Sequence, residues 1–158
     1  MAPEQALSRG WCLMEINRPL EAAAAFEVAL RGSGRTRSDA AYGQSLAYLR
    51  AGLADRAAVA STKAPLSGGR ATEIRTALLE QQALAAFEHG RYRETLMTLE
   101  ERARIAPERI NLMILRGYAY LKLRRFSDAE QVFRAAAATG DRDALKALGD
   151  LARARNPN

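Results

Sequence analysis

Few residues in this chain of 158 offer chemistry. His89 is the one histidine and Cys12 the one cysteine, so neither an internal disulfide nor a His/Cys metal set is available. His89 stands beside Gly90 at an expected helix end, where a solvated imidazole sits near the negative end of the dipole. Cys12 reads as a small apolar packing residue. The carboxylates combine no better. Glu100 and Glu101 are adjacent, which on a helix sends them to different faces, and Asp141 and Asp143 follow Gly140 where they would cap a helix start. Gly68 and Gly69 lack the strand and the Gly-Lys-Ser/Thr run of a phosphate cradle. With no nucleophile, base or paired-acid constellation, the chain reads as non-enzymatic, with no catalytic residue, metal or cofactor.

Charge says something about partners. The net charge is +6 and the pI about 10.0, carried by 24 basic against 18 acidic residues. Arginines at 35 and 37, 91 and 93, 102 and 104, and 124 and 125 raise the question of nucleic acid. They fall mostly in turns or outer helices and lack interleaved aromatics on which bases would stack, which disfavours that partner. A positive surplus does favour acidic segments through long-range attraction. The preference for Arg over Lys, with abundant Ala, also matches coding in a GC-rich bacterial genome. No uncharged apolar run approaches membrane-spanning length. The N-terminus runs from Pro3 straight into an amphipathic pattern, without the features of an export signal. The expectation is a piece of a longer protein, in the bacterial envelope or periplasm if that protein is exported and in the cytoplasm otherwise.

The elements that would position any site follow from spacing. Helix-length segments end at Asn17, Gly52, Gly90 and Arg124, and these turns step by 35, 38 and 34 residues. A period near 34 marks stacked helix pairs, because one pair cannot bury its apolar face alone. Helices are predicted at 3–16, 19–32, 38–51, 54–64, 71–89, 92–105, 110–123, 126–139 and 142–154, with no strand. They make a single all-α domain over 1–158, with units at about 3–36, 38–70, 71–109 and 110–140. The last helix carries Leu145, Leu148 and Leu151 on a stripe with a charged back, as a capping helix requires. The longer middle step places extra residues in Pro65–Arg70, and Ser67–Arg70, with two glycines and no apolar anchor, is the expected mobile loop.

The residues at equivalent places make a pattern. The fourth unit has Gly117, Tyr120, Ala129, Phe133 and Ala136; the first has Gly10, Leu13, Ala22, Phe26 and Ala29; the second has Ser45, Tyr48, Gly52, Ala57, Ser61 and Ala64. The third keeps Ala83, Ala86, Gly90, Tyr92 and Pro107 but has Thr95, Leu99 and Arg102 where Ala, an aromatic and Ala are usual. Over roughly residues 3–140 the chain resembles the tetratricopeptide repeat (TPR) family. Its Ala/Arg-rich style is also loosely similar to TPR portions of bacterial envelope and exopolysaccharide (cellulose-type) secretion proteins. The resemblance implies a right-handed α-solenoid of about four units, with first helices lining a concave face.

Carried onto this chain, the concave positions are Leu7, Trp11 and Met14; Tyr42, Leu46 and Leu49; Glu80, Leu84 and Phe87; and Ile114, Tyr118 and Leu121. The implied surface is largely apolar, with Arg50 and Lys122 favouring acidic flanks. The Lys, Asn and Arg with which a TPR subset grips chaperone C-termini are replaced here by Leu7, Trp11, Leu46, Ala77 and Gln81. The function this implies is a scaffold that holds a peptide or helix of a partner protein. The alternatives are self-assembly, including a homodimer, and an accessory role beside an enzyme domain outside these residues. Either the concave residues form a docking surface, or curvature buries them within the array.

Overall fold

The four turn residues identified by spacing share one backbone joint. Asn17, Gly52, Gly90 and Arg124 have φ of +57°, +76°, +74° and +59°. Each donates its N–H to the carbonyl three residues back, at Met14, Leu49, Phe87 and Leu121 respectively. The residue after each donates five back, to Leu13, Tyr48, Ala86 and Tyr120. This is the Schellman closure, which satisfies the carbonyls a helix end would otherwise leave bare. The next helix then starts from a residue with ψ of 69° to 71° in all four cases. Arg124 adopts the left-handed region without being glycine, at a cost that the two closing hydrogen bonds offset.

The chain is seen here as a computed structural model that describes residues 1–157. The described residues form nine helices and no strand, and no helix among them is long and apolar enough to cross a membrane. They are α1 (Pro3–Glu15), α2 (Pro19–Ala29), α3 (Gly34–Arg50), α4 (Ala54–Ala60), α5 (Gly68–Glu88), α6 (Tyr92–Ala103), α7 (Ile110–Lys122), α8 (Phe126–Ala137) and α9 (Arg142–Arg155). Two compact units divide within α5, one comprising Met1–Gln81 and the other beginning at Gln82.

In the first unit α2 packs on α1 and α3, and α1 also touches α3. Phe26, fully buried, explains the close approach. A β-carbon at Gly10 or at Gly43 would lie 2.6 Å from its ring, so two glycines on separate helices make room for one aromatic. Alanines 22, 23, 29, 40, 41 and 47 complete a core of small residues. Gln44 is also buried, and its amide donates to the Ala23 carbonyl at 3.0 Å and to Glu27 at 2.8 Å, while its oxygen accepts from Lys63 at 2.9 Å. A buried amide with its partners made is tolerated where a bare one would not be.

The second unit repeats the device. Phe133 is buried with Ala129, Ala147 and Leu151, and a β-carbon on Gly117 would fall 2.2 Å from its ring. In the preceding pair the equivalent places hold Ala83 and Leu99, which share a buried cluster with Leu112. Thr95 and Arg102, where the other units carry small residues, are nevertheless buried. Thr95 returns its hydroxyl to the Arg91 carbonyl at 2.9 Å, and Arg102 reaches the Pro107 carbonyl at 3.1 Å, tying the end of α6 to the loop that follows. α7 packs on α6, α8 and α9, and α9 covers α8.

Some expectations fail locally, among them the end of α4, which stops at Ala60 rather than 64. α3 begins at Gly34 rather than 38, and Gly68–Arg70 are the first turn of α5 rather than a loop. The reason lies in contacts one period away. Arg70 bonds Asp39 at 2.6 Å and stacks on Tyr42, while Ser38 donates to the Pro65 carbonyl and Leu66 packs on the core. Cys12 is exposed, not packed as expected, because its position on α1 faces away from α2 and α3.

Candidate functional site

In the first unit α1 and α3 bring several of the named residues together. Trp11 meets Phe26 edge-on with ring centroids 4.9 Å apart and lies 6.2 Å from Tyr42. Leu7, Trp11 and Leu46 are half-buried over the Phe26 cluster, and Tyr42 and Leu46 also pack against Leu49, Ala57 and Ile74. Met14 and Leu49 are buried within these clusters, so neither presents a side chain to a partner. Arg50 uses one guanidinium nitrogen on the Met14 carbonyl, at 2.7 Å, and so ties the end of α3 to the end of α1.

Tyr42 is held by its surroundings. Its hydroxyl donates to the Glu73 carboxylate at 2.9 and 3.0 Å, and the Arg70 guanidinium lies 4.3 Å from its ring centroid. Burial pushes the Tyr42 phenol up, the Glu73 hydrogen bond and charge add to this, and Arg70 opposes it. One helix pair further on, Gln81 donates to the Leu49 carbonyl at 2.6 Å.

The second unit holds the other named residues. Leu84 is 42% exposed, and Phe87 packs edge-on against Tyr92 with centroids 5.3 Å apart. Ile114, Tyr118 and Leu121 lie half-buried over the Phe133 cluster, with Tyr118 and Phe133 centroids 5.1 Å apart. Glu80, at the end of the first unit, is half-buried, and Lys122 is exposed. The Tyr118 hydroxyl donates to Asp150, whose other oxygen takes Arg153. Burial first, and then the Asp150 hydrogen bond and charge, push the Tyr118 phenol up to about 12. The same bond, with help from Arg153, holds the Asp150 carboxyl below its ordinary range.

Beside Tyr118 opens a cleft of about 350 Å³ lined by Asn111, Ile114 and Tyr118 from α7 and by Asp141, Asp143 and Lys146 from the start of α9. Its walls offer an apolar side chain, an aromatic face, an amide and charges of both signs. Asp141 is engaged in capping α9 through the Ala144 N–H at 3.0 Å, as its place after Gly140 predicts. Arg116, largely covered, is forked onto Glu108 at 2.8 and 3.1 Å; burial works against its charge, and the carboxylate outweighs that.

His89 is exposed and returns its Nδ1 to the Ala85 carbonyl at 2.7 Å, which makes that nitrogen the donor. Among the described residues no three His, Cys, Asp or Glu side chains converge as metal ligands would. Asp141 and Asp143 read in the sequence only as helix caps, and their sharing a cleft with Tyr118, Asn111 and Lys146 went unread, whereas the acid partners of the two tyrosines left a signal. Tyr42 and Tyr118 bond carboxylates 31 and 32 residues on, close to one repeat period, so a first-helix tyrosine with an acid one period later marks the contact. Compared with family models, curated proteins and solved structures, the chain gives no match.

Proposed function

We propose that this chain is a TPR-type helical-repeat scaffold that binds a peptide or helix of a partner protein along its first-helix faces and performs no catalysis. The observation that carries the reading is the cleft at Ile114 and Tyr118, two residues that the TPR resemblance marks as partner-facing. Four identical turn joints, glycines cut to fit Phe26 and Phe133, and contacts of α1 with α3 and of α7 with α9 support the repeat reading. In the first unit the half-buried Trp11, Tyr42 and Leu46 offer a second apolar-aromatic face, of the residue types that dominate binding energy. The surplus positive charge adds a preference for acidic flanks on the bound segment. A role within a bacterial envelope or exopolysaccharide secretion assembly belongs to the same proposal.

Selection of peptides from a random display library on the folded chain tests this. Tyr118→Ala or Phe87→Ala should weaken selected peptides by about 2 kcal/mol or more, while helical content is kept. Raised salt should weaken them only modestly, because salt screens charge and not apolar contact. Peptides that ignore both truncations and are lost with salt would move the binding site to the exposed arginines.

A further inference from the structure

The first unit has an apolar flank that its own helices leave open. α2 carries only two charged residues, Glu21 and Glu27, in eleven positions. One side of it, through Ala22, Phe26 and Ala29, is buried against α1 and α3. Leu20, Ala24 and Val28 recur every four residues and so share a second stripe. Along this stripe Leu20 is 56% exposed, Ala24 is exposed and Val28 is half-buried. A helix apolar nearly all round is one that expects cover on both sides.

The flank has both relief and hollow. Between α1 and α2 runs an open groove of about 430 Å³, whose apolar lining includes Ala6, Leu13, Ala24, Ala25 and Val28. Small alanines make the hollow. Met1, which lines the groove, is 71% exposed, and with Leu20 it supplies projecting apolar side chains of the size such a hollow takes. The rim carries both signs: Arg9 and Arg18 stand on it with Glu21, and the Arg18–Glu21 pair, 3.6 Å apart, leaves both heads in solvent.

We infer that this α1–α2 flank is a two-fold interface with a second copy of the same chain. A two-fold interface requires one patch to be its own complement, so that residue i meets residue j and j meets i. Knobs, hollow, cation and carboxylate all lie on this one patch, so Leu20 of each copy enters the alanine-lined groove of the other and Arg18 faces Glu21. An acidic segment from another protein would call for a rim of one sign. An anionic lipid surface would call for a projecting basic face, and the groove is concave with a carboxylate at its edge. This surface is separate from the first-helix faces proposed to bind peptide, so the two readings stand or fall apart.

Sedimentation velocity of the full chain over a wide concentration range tests the inference. The expected result is a reversible monomer–dimer equilibrium. Leu20→Glu and Ala24→Arg, both at exposed positions, should each weaken it about ten-fold or more, with helical content and display-selected peptide binding kept. Arg18→Glu alone and Glu21→Arg alone should weaken it as well, and the double reversal should recover the dimer. A chain that stays monomeric at every concentration overturns the inference. So does a dimer indifferent to Leu20→Glu and Ala24→Arg, or a double reversal that recovers nothing.

Discussion

Gly117→Ala should destabilise the second unit, although a glycine-to-alanine change inside a helix ordinarily stabilises by about 1 kcal/mol. The sign is decided by what the new methyl meets. On Gly117 it falls 2.2, 2.5 and 2.8 Å from three atoms of the Phe133 ring, whereas carbon atoms rest at roughly 3.5–4.0 Å. The ring must retreat by more than about 1 Å, and it is fully buried against Ala129, Ala147 and Leu151, with no slack to enter. Overpacking of this kind costs about 1–3 kcal/mol, and a displacement this large belongs near the upper end. After the propensity gain, a net loss of about 2 kcal/mol remains. Gly149, in α9 of the same unit, is the control: its methyl would meet only the Arg153 guanidinium at 3.6 Å, so Gly149→Ala should stabilise by about 0.5–1 kcal/mol. Urea unfolding followed by far-ultraviolet circular dichroism measures both, with each kcal/mol moving Tm by roughly 2–4 °C in a parallel thermal scan. If both variants stabilise alike, the glycine–aromatic contact is not what packs α7 on α8, and the repeat register drawn from it fails.

Ala129→Leu should cost about 1–3 kcal/mol in the same assay, since Ala129 is fully buried beside Phe133; an unchanged midpoint would contradict that placement. The Tyr118 phenol sits at about 12 against an ordinary 10.0, so between those values the folded chain keeps a proton that the unfolded chain has lost. Its contribution is therefore whole below pH 10 and fades as pH rises toward 12, a slope that Tyr118→Phe should remove and that ultraviolet titration of tyrosinate can follow. Gln44→Ala should cost about 1–3 kcal/mol by stripping buried hydrogen bonds. It should also let the Glu27 carboxyl climb back toward its ordinary range, because the Gln44 bond is the largest cause of its lowering, with the Lys63 bond next. A carbon-detected carboxylate titration that finds Glu27 unmoved would refute that assignment.

Much of the fold is written in short-range terms. A residue that ends a helix in the left-handed region acts through carbonyls three and four positions behind it, so Asn17, Gly52, Gly90 and Arg124 were visible from local pattern and spacing. Glycine or alanine sixteen positions before a large apolar residue, as in Gly10 with Phe26 and Gly117 with Phe133, similarly announces where two helices close up. All-helical character, the helix boundaries to within a few residues and the four-fold recurrence follow from signals of that range.

What tertiary structure alone decided involves partners about a full period apart. Gly68–Arg70 reads as a flexible loop because two glycines have no preference of their own; Asp39 and Tyr42, about thirty residues earlier, hold Arg70 and make it a helical turn. Met14 and Leu49 share the helical stripes of Trp11 and Tyr42, yet they are core while their neighbours stay half-open, because the tilt of one helix on the next sets exposure and periodicity does not encode tilt. The cleft beside Tyr118 and the bond from its hydroxyl to Asp150 exist only once α9 lies against α7. Repetition in the sequence determines which residues recur on a helix face; which of those faces stay open is settled by the packing of one helix pair on the next.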